Sequence, residues 1–311
     1  MDLNNHIWFQ KYRPQVLDDM VLESTMRNAF QEFVNAKCIP HLLLAGDAGT
    51  GKTSVAEILI RTIDPKNIAT LRLNASSERG IGVVRDKITP FLAAKSLNPL
   101  KIVFLDECDY TTPEFQTALR NIMEVYSTKS RFILTCNFVN RIIDPIQSRC
   151  ALFEFQKLPK KHMIKTLCGI LEKEEIEYDL DAVIAIVDDY FPDIRKLINA
   201  CQRFSQKMKF NYSIEMSKTH VLQQIGTLIK GGKYTELAAL VSKQQLFWTD
   251  VYKGLFDDAA KYFPVQTLPQ VRIEIWEALK ADTTIPDQLI NFLAFSIKAM
   301  RLCGISEGQI K

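Results

Sequence analysis

The run Gly46-Asp47-Ala48-Gly49-Thr50-Gly51-Lys52-Thr53 spells G-x-x-x-x-G-K-[ST], a pattern whose physical use is to wrap a chain of phosphates. Its glycines let backbone N–H groups close around phosphate oxygens, and the helix that follows adds partial positive charge at its N-terminus. Lys52 then reaches the outer phosphates and Thr53 ligates magnesium. Further along, Ile102-Val103-Phe104-Leu105 is an apolar run ending in Asp106-Glu107. Asp106 can hold the magnesium through water, and Glu107 can polarise an attacking water. An acid after an apolar strand is common on its own; its value here is its position after the phosphate-binding loop. Asp109 reads equally as a supporting acid or as a solvated carboxylate.

Three more residues have the right type but an ambiguous setting. Asn137 follows the apolar run Arg131 to Thr135 and would set a neutral hydrogen-bonding group beside the carboxylates, provided its strand neighbours the loop strand; otherwise it is a turn residue. Ser148-Arg149-Cys150, after Asp144-Pro145 on a segment leaving the sheet, offers an arginine. Supplied in trans to a transferring phosphate, such a group is worth roughly a thousandfold or more in rate. Arg195 stands at a helix start after Pro192-Asp193. For both arginines a surface ion pair is the equal alternative.

The elements that must position these groups follow from periodicity. His41 to Ala45, Thr70 to Leu73, Lys101 to Leu105 and Arg131 to Thr135 read as short strands alternating with helical patterns, the signature of a parallel sheet covered by helices. Lys52 to Ile63 reads as a helix stopped by Asp64-Pro65, and Thr112-Pro113 opens another with an N-cap and a proline at the first position. After Phe155 no strand is expected. Amphipathic segments near His162 to Glu172, Asp179 to Tyr190 and Ile194 to Phe204 make a small helical domain. A polar stretch with Gly226 and Gly231-Gly232 separates it from a third, helical part, Tyr234 to Leu302.

The chain has 311 residues, 47% hydrophobic, and a formal net charge of +3, enough for two or three buried cores and too nearly neutral to announce a nucleic-acid binder. Its seven cysteines show no C-x-x-C pairing, so they read as free thiols in a reducing cytoplasm. Residues 1–14 lack a basic start followed by an apolar stretch, and no run of about 18 apolar residues occurs, so no leader and no membrane partner are expected.

Together these residues resemble the AAA+ ATPases, and more narrowly the ATPase subunits of sliding-clamp loaders of the replication factor C and phage type. The narrower likeness rests on Lys11-Tyr12-Arg13-Pro14, Asn74-Ala75-Ser76-Ser77-Glu78-Arg79-Gly80-Ile81 with Val84-Arg85, Asp106-Glu107-Cys108-Asp109, Ala118-Leu119-Arg120, Ser148-Arg149-Cys150 and Phe191-Pro192-Asp193-Ile194-Arg195-Lys196. It is close to about Phe204; beyond that only the helical character agrees. The lack of a zinc-binding cysteine set is unlike the bacterial γ/τ subunits. Phe191-Pro192-Asp193 and Val21-Leu22 look like the T-even phage branch, where four copies of such a subunit join one smaller partner.

The resemblance implies a P-loop AAA+ parallel sheet (residues 1–156), a helical lid (157–228) and an all-α oligomerisation collar (229–311). It implies ATP and Mg2+ held by Gly49, Thr50, Gly51, Lys52, Thr53 and Ser54, with Gln10, Lys11, Tyr12 and Val21 on the adenine side. Asn137 and Arg195 resemble the two residues that sense the nucleotide, and Arg149 the finger that enters a neighbour's site, so that the catalytic set is Lys52, Glu107, Asn137 and Arg149. Arg79 and Arg85 would contact the phosphates of primer-template DNA, and Phe91 and Leu92 would press into the sliding clamp. Arg120 would couple DNA contact to Glu107. The implied activity is a DNA-stimulated ATPase in a pentamer of clamp-loader subunits, in the cytoplasm or, for a eukaryotic host, the nucleus. Its rivals are a ring helicase or initiator ATPase, which should carry a winged-helix tail, and a ring member without turnover, which Lys52 and Glu107 argue against.

Overall fold

The computed structural model describes residues 7–96, 98, 100–206, 208–212, 217–242 and 247–306. The reading of residues 1–6 as leaderless lies outside the described residues. Strands β1 (Leu42–Gly46), β2 (Thr70–Asn74), β3 (Lys101–Asp106), β4 (Ser130–Cys136) and β5 (Ala151–Phe155) form one parallel sheet in the order β2-β3-β4-β1-β5. Successive side chains point to opposite faces, so each apolar run feeds two cores. Leu42, Leu44, Ile102, Phe104 and Ile133 pack with Phe30, Val55 and Leu59 on one face. Leu43, Ala45, Val103, Leu105 and Leu134 pack with Ile88, Phe115 and Leu119 on the other.

The helices of this part are α1 (Trp8–Lys11), α2 (Ser24–Ala36), α3 (Lys52–Ile63), α4 (Ile81–Val83), which runs through a π-helical turn (Val84–Ile88) into α5 (Thr89–Ala93), α6 (Pro113–Val125) and α7 (Asp144–Gln147). The Thr112 side chain accepts the Phe115 N–H and caps α6, as the Thr-Pro pair requires. After the sheet come α8 (Lys160–Lys173), α9 (Leu180–Tyr190) and α10 (Ile194–Phe204). A two-residue hairpin follows, β6 (Ser205–Gln206) with β7 (Lys209–Phe210), then α11 (Lys218–Lys230), α12 (Tyr234–Ser242), α13 (Trp248–Asp257), α14 (Ala259–Tyr262), α15 (Leu268–Asp282) and α16 (Gln288–Leu302).

Three expectations are corrected. The segment after Ser148-Arg149-Cys150 does not leave the sheet: it becomes β5 beside β1, with Ala151 opposite Leu42 and Phe155 opposite Gly46. Its alternating exposure marks an edge strand, too short and half-polar for periodicity to find. The hairpin β6-β7 stands where no strand was expected, because two-residue strands carry no period at all. Gly226 is no linker residue; it lies inside α11, where a Cβ would stand 2.3 Å from the ring of Tyr262.

The described chain divides into two compact units, residues 1–177 with 190–210, and residues 178–189 with 211–311. The second has its own apolar core, in which Val221, Ile225, Leu237, Tyr252, Leu255, Val271, Phe292 and Phe295 are buried. No described helix is long and apolar enough to cross a membrane.

Candidate nucleotide site

Strand order decides how the site is assembled. β1 leads into the phosphate-binding loop and lies next to β4, with Leu44 opposite Thr135 and Ala45 opposite Cys136, so Asn137 emerges beside the loop. β3 lies on the far side of β4 and brings Asp106 and Glu107 to the same carboxyl end of the sheet. The condition set for Asn137, a strand adjacent to β1, is met.

In the loop, Gly49 and Gly51 have φ of +80° and +100°, a region costly for any side chain, and a Cβ at Gly49 would stand 2.8 Å from the Asp193 carboxylate. The next residue, Lys52, opens α3 and is 8% exposed. Its Nζ donates to the carbonyls of Gly46 at 2.6 Å and Asp47 at 2.7 Å and to Asn137 Oδ1 at 3.1 Å. A buried ammonium resting on neutral oxygens is under-compensated. Burial lowers its pKa, and the nearby Asp106, Asp109 and Asp47 carboxylates oppose that shift.

Thr53 Oγ1 lies 3.2 Å from Asp106 Oδ1. Thr135, in sequence only the last residue of an apolar run, organises the acidic pair: its hydroxyl donates to Asp106 Oδ1 at 2.5 Å and accepts the Glu107 N–H at 2.9 Å. Glu107 itself has φ +58°, so the chain turns sharply after the strand. A lone hydroxyl closing an apolar strand was the available signal for Thr135. Asp109 is buried, and neither carboxylate oxygen has a hydrogen-bond partner. A cleft of about 400 Å³ beside the loop is lined by Gly46, Asp47, Asn137, Glu154 and Lys157, among others. These residues fit a magnesium–nucleotide group: a glycine cradle without room for side chains, a buried cation lacking a counter-ion, and a hydroxyl with a carboxylate at the loop's end.

In the helical part of the same unit, Asp193 caps α10 by accepting the N–H groups of Arg195 and Lys196 at 3.0 and 3.1 Å. Arg195 lies 5.8 Å from the ring of Phe9. Arg13, quoted in the sequence motif but given no role, donates from Nε to Ser54 Oγ at 3.3 Å; burial first, and the Arg195 cation less, lower its pKa. Arg13 and Arg195 thus set two cations beside the loop, a setting that favours an anion. Of the residues expected on the adenine side, Lys11 Nζ and Tyr12 Oη both donate to Glu174 Oε1 at 2.7 Å, while Gln10 is exposed and Val21 half-buried.

The remaining residues fall elsewhere. Ala151 pairs with Leu42, the first residue of β1, so Arg149 lies about 13 Å of strand away from Gly46, at the opposite end of the sheet. Its guanidinium donates to the Pro145 carbonyl at 2.7 Å and to Glu124. Arg79 and Arg85 are exposed; the Arg79 carbonyl accepts the Thr112 N–H at 3.2 Å, tying this loop to the start of α6. Leu92 is 5% exposed and belongs to the sheet's core, which leaves Phe91, half-buried, as the accessible member of the pair. The Arg120 hydrogen bonds go to Asn121 Oδ1, not to Glu107. Gln116, unnoticed in the sequence although polar on an apolar helix face, is buried and bonds both ways to the following loop. It donates to the Arg141 carbonyl at 3.0 Å and accepts the Ile143 N–H at 2.9 Å.

The family model described as ATPase family associated with various cellular activities (AAA) matches residues 42–158. The chain is similar to replication factor C small subunits: 46% identical over 203 residues to that of Archaeoglobus fulgidus, covering 64% of each chain. The identity is 41% over 247 residues to that of Aeropyrum pernix, covering 76% of each. For Saccharolobus solfataricus it is 39% over 239 residues, covering 74% of this chain and 72% of the other. The matched stretch spans less than two thirds of the Archaeoglobus relative's length. These relatives are archaeal, which lends nothing to the phage likeness. Among solved structures, the RuvB Holliday junction branch migration motor of Thermotoga maritima superposes with a TM-score of 0.55 at 15% identity, covering 74% of this chain and 85% of that one, a likeness of fold alone.

Proposed function

Because the chain belongs to the replication factor C small-subunit family of AAA ATPases, we propose that it binds and hydrolyses ATP as one subunit of a clamp loader, placing a sliding clamp on primer-template DNA. The observation that carries this reading is the division of the site. Lys52, Asp106, Glu107 and Asn137 meet at one end of the sheet, whereas Arg149 stands at the other, out of reach of its own chain's phosphates and open to serve those of a neighbouring subunit. Ring assembly through the C-terminal helices, with a 157–228 lid and a 229–311 collar, and a pentameric total, belong to the same proposal. A loader works where replicating DNA lies, the cytoplasm in a cell without a nucleus.

In this reading Lys52 exchanges its two backbone carbonyls for phosphate oxygens, a gain for a desolvated ammonium. Thr53 and Asp106 would hold the magnesium, which would supply positive charge against the phosphates. Glu107 takes the proton of the attacking water, and Thr135 fixes its backbone for that task. Asn137, already bonded to Lys52, orients around the terminal phosphate. Arg13 and Arg195 flank the nucleotide from the arm and the lid, while Lys11 and Tyr12, anchored on Glu174, shape the adenine side. Arg79, Arg85 and Phe91 face outward to DNA and clamp.

The deciding experiment measures ATP hydrolysis with and without primer-template DNA and a candidate clamp. Stimulation by both together is expected. The RuvB-like fold favours one second reading, a strand-separating or branch-migrating motor, and a response to forked or four-way DNA without any clamp effect would select it.

A further inference from the structure

The last turn of α6 carries an acid, Glu124, and no base. A negative charge there opposes the helix dipole, so the helix gains nothing from it. What Glu124 does instead is meet Arg149: the guanidinium Nη2 donates to Glu124 Oε1, and Nη1 donates to the Pro145 carbonyl at 2.7 Å. Both side chains remain solvent-accessible, 34% for Arg149 and 52% for Glu124. The frame beneath them is fixed, because Gln116 bonds α6 to Arg141 and Ile143 just ahead of α7, the helix that leads to Arg149. A guanidinium has five N–H donors in a rigid fork; with one directed to Glu124 and one to Pro145, three remain.

We propose that Glu124 is a positioning residue for Arg149, holding its guanidinium in a fixed direction so that its remaining N–H groups enter the neighbouring subunit's phosphate site without a conformational search. The inference rests on the reading of Arg149 as an arginine acting in trans. A long side chain free to rotate would lose rotamer freedom at the moment of docking; one already tethered loses less. An exposed ion pair shifts an equilibrium by only about fivefold at most, so the tether is weak enough for phosphate to reshape it, and it strengthens when the interface excludes water.

The test is a double-mutant cycle in the loader reconstituted with its partner subunits, read as steady-state ATP hydrolysis on primer-template DNA. Glu124→Gln, nearly isosteric and exposed, is expected to lower kcat about three- to tenfold with the KM for ATP unchanged, since no contact of the nucleotide's own subunit is touched. In an Arg149→Ala background the same substitution is expected to change nothing further. Placing Glu124→Gln on a chain that also carries Lys52→Ala, mixed with wild-type chains, should lower hydrolysis in those wild-type neighbours. An equal loss from Glu124→Gln with and without Arg149, or no loss while Arg149→Ala alone abolishes stimulation, overturns the proposal and leaves the trans reading standing. Full activity of Arg149→Ala overturns both.

Discussion

Lys52 at the carboxyl end of the sheet and Lys101 at the amino end of β3 are equally buried, 8% and 7% exposed, and both rest on backbone carbonyls. The Lys101 Nζ donates to the carbonyls of Phe91, Leu92 and Ala94, closing the C-terminal end of α5, and burial alone lowers its pKa. It therefore already holds its ligand, the negative end of a helix. Lys52 has the same chemistry in a glycine loop that opens on a cleft, with three acids near it and none bonded to it. The amino end repeats the Lys101 pattern: Arg131 donates to the carbonyls of Ile39, Ser127 and Ser130 at 2.7–2.8 Å. Both lysines make three hydrogen bonds, but those of Lys101 close a helix end inside the fold, whereas Lys52 stands beside an open cleft.

The largest effect that would break this contrast is at the open end. Lys52→Ala should abolish nucleotide binding while leaving the melting temperature nearly unchanged. Glu107→Gln should bind ATP normally and lower turnover by about a hundredfold to ten thousandfold, measured by nucleotide titration and single-turnover hydrolysis. Normal hydrolysis by Glu107→Gln would remove it as the base.

Lys101→Met should do the opposite of Lys52→Ala, costing about 2 kcal/mol of folding stability in denaturant titration, because three carbonyls lose their donor, while ATP binding persists. A variant as stable as the wild type would show that the helix end needs no cation.

A pH test sharpens the contrast at the same end. His41 Nδ1 accepts the Phe132 N–H at 3.1 Å, and burial, aided by the Arg131 cation, pushes its pKa from 6.5 down to about 4. The folded chain thus binds this proton less readily than the unfolded chain. Stability is full above pH 6.5 and is lost as pH falls from there toward about 4, by roughly 2–3 kcal/mol from this group. His41→Asn, which keeps an acceptor without that titration, should flatten that part of the acid limb in urea titrations, and an unchanged pH profile would refute the assignment.

The smallest effect is on the exposed loop. Arg79→Ala and Arg85→Ala should each weaken DNA binding about equally across sequences and reduce the salt slope by about 1. An unaltered slope would remove them from the interface.

Much of the open end was legible beforehand, because its signals are local. The loop spacing, the apolar run ending in two acids, Thr112-Pro113 and the bounds of α3 each depend on a few consecutive residues. Thr135, Gln116 and Glu124 were not legible, since each acts through a partner 25 to 29 positions away in the chain, and hydroxyls, amides and single acids are ordinary at any one position. Whether Leu92 is buried could not be read from spacing for a related reason: an apolar side chain on a short helix faces core or solvent according to where that helix lies.

The sequence by itself determined the phosphate chemistry at Gly46 to Thr53, the acidic pair, and the alternation of strands and helices, because backbone sterics and side-chain period act over neighbouring residues. Only the tertiary structure decided that β4 separates β1 from β3, which puts Asn137 and Thr135 between the loop and the acids. It also decided that β5 returns beside β1, which carries Arg149 to the far end of the sheet and pairs it with Glu124. Strand order is set by how two faces of a sheet bury their apolar side chains together, a sum over contacts distant in sequence, and no single segment contains it.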